Sequence, residues 1–190
     1  MISSRIPFRR SRRSQKGFSL IEVMFAIVIL GIGLCALMAM FGNAMYAVRY
    51  SQEDQIAKQK AREALEAAIS ARNDTSITFD QIQNVSNGGI FKDGFGMLYL
   101  AGANGIPGTG EDTTTLDRFI LPGPDGIIGT ADDVIVPLTN YQRQILISNV
   151  YNTDGSLNTD IRKIAVTIRV TSGARGTHDY TVTGFISRFN

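Results

Sequence analysis

A single carboxylate, Glu22, stands in an otherwise apolar run from Phe18 to Phe41. In a bilayer-spanning helix a lone carboxylate costs roughly 2.5–3.5 kcal/mol on insertion scales, and such groups persist where a partner compensates them. Glu22 is therefore read as an interaction site. A second place with chemistry-bearing residues is a weak internal repeat. Residues 103–112 and 124–133 both read Asn/Asp-Gly-Ile-x-Gly-Thr-x-acid-Asp. In the 124–133 loop, Asp125, Asp132 and Asp133 supply hard oxygen donors, and calcium takes about six to eight such oxygens. The loop reads either as a Ca2+ site or as a glycine-rich β-turn with solvated acids. The third place is His178-Asp179, the lone histidine followed by an acid. Adjacent strand residues point to opposite faces, which separates the pair. No Gly-x-Ser-x-Gly elbow and no second histidine for a catalytic metal accompany it. No enzyme is expected.

What surrounds Glu22 gives it context. Residues 1–17 hold Arg5, Arg9, Arg10, Arg12, Arg13 and Lys16 and no acid. Without them 13 of the 19 basic side chains face all 17 acidic ones, a formal −4. The basic character thus belongs to the leader, and the rest of the chain gives no indication of nucleic-acid binding. A secretory signal peptide would place its cut after a short apolar core. Here the boundary precedes the apolar run. Basic residues ahead of a span place the N-terminus in the cytoplasm, so residues beyond the span are expected to be exported. About 20 apolar residues suffice to cross a bilayer as a helix.

The sequence Lys16-Gly17-Phe18-Ser19-Leu20-Ile21-Glu22-Val23, between that leader and the apolar run, resembles the prepilin signature of type IV pilins and type II secretion pseudopilins. The resemblance implies cleavage between Gly17 and Phe18 by a prepilin peptidase, N-methylation of Phe18, and pairing of Glu22 with the N-terminal amine of a neighbouring subunit. It also implies the pilin fold and other pilin subunits as partners. Ile27–Gly33 followed by Leu34, with Lys163–Ile168 and Val182–Ser187, is similar to PilV-type minor pilins. Some pseudopilins bind calcium in their loops, which the resemblance extends to 124–133. The absence of a C-terminal cysteine pair departs from pilins that carry a disulfide loop.

The elements follow from periodicity. Residues 18–41 form the transmembrane or filament-core half of a helix. Residues 42–72 form an amphipathic half, with Ala57, Ala61, Ala64, Leu65, Ala68 and Ile69 at three- and four-residue steps. Lys58, Lys60, Arg62, Glu63 and Glu66 read as its solvated faces. Asn73-Asp74-Thr75-Ser76 stops the helix. Residues 73–140 are loop-rich, with short strands expected at Phe95–Ala101, Leu116–Leu121 and Val134–Leu138, the last an edge because of Pro137. Residues 141–190 read as antiparallel sheet, with strands at Tyr141–Tyr151, Ile161–Thr171 and Tyr180–Ser187. A helix with one apolar stripe covers a sheet with one apolar face. The expected class is α+β, a long N-terminal helix on a C-terminal antiparallel β-sheet. Cys35 is the only cysteine, so no internal disulfide is expected.

Function then divides into classes. The leading expectation is a minor pilin of a type IV pilus, held in the inner membrane before assembly into a filament. A type II secretion pseudopilin is the alternative. A membrane-anchored, calcium-dependent binding domain that never polymerises is the contrasting class.

Overall fold

The structure is a computed structural model that describes residues 17–173 and 176–189; the leader before Gly17 lies outside the described residues. The chain divides into two compact units, Met1–Val48 and Arg49–Asn190. One helix, α1 (Leu20–Asn73, 54 residues), contributes to each. It begins where the Ser19 carbonyl accepts from the Glu22 and Val23 amides at 3.0 and 3.2 Å. It ends at Asn73, and Thr75 lies in the left-handed region at φ 59°.

In the first unit the helix is apolar on every side and exposed on every side. It is long and apolar enough to cross a membrane by length and composition. Such all-round apolarity suits lipid or a helix bundle rather than a water-facing surface.

The second unit is an α+β sandwich of one helical segment on one sheet, the expected class. Strands β1 (Gly96–Met97), β4 (Tyr141–Tyr151), β5 (Leu157–Ser172) and β6 (Gly176–Ser187) form an antiparallel sheet in the order β1-β4-β5-β6. Strands β2 (Arg118–Leu121) and β3 (Val134–Pro137) pair separately, and Pro137 closes their register opposite Arg118. The alternation in the sequence sets the sheet's two faces. Ile164, Val166, Ile168 and Val170 are fully buried, as are Ala57, Ala61, Ala64 and Ala68 on the helix. All eight belong to one core. The alanines recur at helical spacing, and their small side chains let the helix axis come close to the sheet. Gly184 does the same from the other side, since a Cβ there would lie 3.0 Å from the Leu65 Cδ1.

Two strands start earlier than the sequence predicts. β5 begins at Leu157, and β6 at Gly176 rather than Tyr180. Thr177, His178 and Asp179 pair with Thr171, Val170 and Arg169. Their polar side chains carry no alternation signal, and it is the hairpin ladder that makes them strand.

The solvated-face reading of the helix is corrected at Lys60. Its Nζ lies 2.8 Å from Asp117 and 3.0 Å from Glu63, and Lys60 and Asp117 are both buried. Lys58 instead pairs with Asp54 at 2.5 Å on the open side.

The loop-rich region is anchored by one amide. Asn84 is buried; its Nδ2 donates to the Ile145 carbonyl at 2.7 Å, and its Oδ1 accepts from the Ile147 amide at 2.9 Å. β1 pairs with β4 only at Gln142 and Arg143. Beyond those residues the Asn84 side chain takes the place of a neighbouring strand. Asn84→Ala would leave two buried backbone groups of β4 unpaired and is expected to cost about 2–4 kcal/mol. Denaturant unfolding of the full chain, followed by tyrosine fluorescence, reads this as a lowered midpoint. Asn84→Asp keeps the acceptor but loses the donor and buries an unpaired carboxylate against the Ile145 carbonyl, so its midpoint should fall at least as far. An unchanged midpoint in Asn84→Ala would show that this edge of β4 does not depend on the amide.

Candidate functional site

The N-terminal site is assembled by helical spacing. Gly17 and Phe18 precede α1, and both are exposed. Glu22 lies in the first helical turn, where the helix dipole favours a negative charge. Phe18, Glu22, Val23, Ala26, Ile27 and Leu30 line one shallow recess, so the carboxylate and the Phe18 ring share a face. The Glu22 side chain is exposed, and no cation lies within 4.0 Å of it among the described residues. The exposed residues around it are hydrocarbon: Leu20, Ile21, Val23, Met24 and Phe25. Carboxylate chemistry in such a place is limited to attracting a cation or a hydrogen-bond donor.

Residues 12–38 match the family model for the prokaryotic N-terminal methylation motif. The matched span holds the Gly17–Phe18 boundary, Glu22 and most of the apolar run. The motif supports a type IV pilin- or pseudopilin-like precursor, a structural class of protein. It implies processing by a prepilin peptidase and assembly with other pilins. With the one long apolar helix found among the described residues, it fits single-pass anchoring in the inner membrane. Comparison of the chain with curated proteins and with solved structures finds no match.

The 124–133 loop brings its three acids together in sequence but gives each a local donor. Asp125 Oδ1 accepts from the Ile127 amide at 2.8 Å. Asp132 accepts from the Thr130 hydroxyl at 2.7 Å and from the Asp125 amide at 3.3 Å. The Thr130 hydrogen bond holds the Asp132 carboxyl below the usual carboxylate range. Asp133 Oδ2 accepts from the Gly129 amide at 2.6 Å. A cation in this loop would compete with those donors. No group of three or more His, Cys, Asp or Glu side chains is placed to hold a metal ion among the described residues.

His178 and Asp179 part as expected. Asp179 lies on the sheet's outer face and is held bidentate by Arg169 at 2.8 and 2.8 Å. His178 turns to the inner face, where its ring lies 5.1 Å from that of Tyr50. It is half-buried, and both ring nitrogens are enclosed without a hydrogen bond.

Sequence reasoning missed the charged interior. Asp112, from the first repeat copy, is 3.7 Å from Lys92 and 3.8 Å from Arg143. Burial pulls the Arg143 guanidinium below its ordinary value, while Asp112, Asp117 and Glu63 oppose the shift. No local pattern announces these pairs. The one available signal was an arginine at an inward position of β4.

Proposed function

We propose that this chain is a structural subunit of a type IV pilus or related filament, with a minor pilin as the first reading. The peptidase cuts between Gly17 and Phe18, and the new amine of Phe18 is methylated. The apolar half of α1 holds the subunit in the inner membrane, N-terminus to the cytoplasm, until it enters the filament. There Glu22 pairs with the Phe18 amine of a neighbour.

The observation that carries this reading is Glu22, the lone carboxylate in the wholly exposed apolar first part of α1, with no cation near it among the described residues. Two opposite charges in a low-dielectric bundle attract strongly, and each is costly alone. One pair per subunit then fixes the axial register of the helices. A pseudopilin is the second reading. Cys35 is the only cysteine, so the C-terminal disulfide loop of many pilins has no counterpart.

Intact mass of the protein from membrane and sheared-filament fractions tests the proposal. The expected mass begins at Phe18 and includes one methyl group. A chain that still begins at Met1, in cells with a working peptidase, would overturn it.

A further inference from the structure

The repeat seen in the sequence is one folded module built twice, 102–112 and 123–133. Gly105 and Gly126 both have left-handed backbones, φ 67° and 72°, and donate to the carbonyls of Gly102 and Gly123 at 3.1 and 3.0 Å. Asn104 and Asp125 accept from the amides of Ile106 and Ile127 at 2.9 and 2.8 Å. The Thr109 and Thr130 hydroxyl oxygens lie 3.2 and 3.0 Å from the carbonyl oxygens of the same isoleucines. Asp112 and Asp133 close the modules on the amides of Gly108 and Gly129 at 3.0 and 2.6 Å.

The two copies differ in what covers them. In the first, Ile106 is 1% exposed and belongs to the core. Asp112 is met by Arg143 and Lys92. This copy is a knob seated in a socket of apolar residues and cations from the same chain. In the second, Ile127 and Ile128 are 61% and 62% exposed. The loop carries three acids and no base, and no cation lies within 4.0 Å of them among the described residues. It is the same knob without a socket.

A surface of matching chemistry lies on the outer face of the main sheet. Lys163 is exposed, pairs in register with Phe185 on β6 and Ser148 on β4, and has no acid within 4.0 Å among the described residues. Phe185 is 63% exposed, and Leu146, one register step away, is 50% exposed. The other outward cation of these strands, Arg169, is already taken by Asp179 and lies over the Phe95 ring at 3.7 Å. Lys163, Leu146 and Phe185 thus offer the chemistry that Arg143, Lys92 and the core offer the first copy.

We infer that the 123–133 module of one subunit docks on the Leu146–Lys163–Phe185 face of a second copy of this chain. Ile127 and Ile128 cover the apolar pair, and Asp125 and Asp132 face Lys163. The two surfaces are different patches, so the contact is head-to-tail and propagates rather than closing as a dimer. It rests on the filament reading only for the supply of ordered neighbours.

The test uses the full chain with Cys35→Ser. One tagged copy carries Ile128→Cys, and a differently tagged copy carries Leu146→Cys, both at exposed positions. They are produced together and treated with a short thiol cross-linker in membranes and in sheared filaments. Mixed-tag dimers are expected, and Lys163→Glu in the second copy should lower their yield about threefold. Retained protease resistance shows that each variant folds. Filaments without mixed dimers, or same-tag Ile128→Cys dimers in their place, overturn this contact and leave the filament reading standing. Mixed dimers in membranes of cells that form no filament uphold the contact and remove the filament reading. Neither product overturns both.

Discussion

Glu22→Ala is expected to leave the chain in the membrane and shortened by its leader, yet to remove it from sheared filaments. The physical reason is a change of sign between two environments. In the bilayer the lone carboxylate is a cost of roughly 2.5–3.5 kcal/mol, so its removal strengthens insertion. In the proposed filament the same carboxylate is half of an ion pair, and its removal would strand the Phe18 amine of the neighbour in hydrocarbon. Breaking one partner of a buried pair costs about 3–5 kcal/mol. That is about two to nearly four orders of magnitude in an assembly equilibrium, repeated at each subunit added. Glu22→Gln keeps the shape and hydrogen-bonding capacity but not the charge, so it should also fail. The ratio of sheared to membrane-bound protein checks both variants. An unchanged ratio in Glu22→Ala would show that the helix assembles by packing alone and that the pairing mechanism is wrong.

The second large effect is expected at Lys60. Its ammonium is buried between Asp117 at 2.8 Å and Glu63 at 3.0 Å. Lys60→Met leaves Asp117, whose side chain is 6% exposed, as an uncompensated charge and is expected to cost about 3–5 kcal/mol. Such a loss approaches the whole stability of a modest domain. Asp117 also anchors the start of β2. Its amide donates to the Leu98 carbonyl at 2.8 Å, and its carbonyl accepts from the Leu138 amide at 3.0 Å. The damage should therefore appear in the 98–138 region as well as at the helix. Lys60→Met with Asp117→Leu removes both charges and should recover most of the loss, since apolar replacements of buried pairs are often neutral or stabilising. Denaturation midpoints of the full chain in detergent, with limited proteolysis to locate the weakened segment, decide the matter. Equal midpoints for wild type and Lys60→Met would mean that water reaches the pair.

The α+β scaffold itself is set by local patterns. The three- and four-residue steps from Ala57 to Ala68 specify which stripe of the helix is covered. The clean alternation from Lys163 to Val170 specifies both faces of β5 before any partner strand is known. Both are short-range regularities, so they survive in the sequence. The strand starts at Leu157 and Gly176 do not, because polar residues become strand there only through the ladder of the neighbouring chain segment.

The site divides along the same line. Gly17, Phe18 and Glu22 form a contiguous signature, and its meaning lies in the contrast between a basic leader, an apolar run and one acid. The amino-acid order alone determined that contrast, and with it the matched methylation motif. Only the tertiary structure decided that Lys60 is an interior charge, since its acid comes from a distant loop. It likewise decided that Asn84 serves as a strand edge, through carbonyl and amide partners 61 and 63 residues away. It also decided that two near-identical modules have opposite fates, one in the core and one in solvent. Spacing encodes how a loop closes on itself, because those hydrogen bonds span only two to four residues. Whether the closed loop meets a socket depends on which distant strands the fold brings beside it.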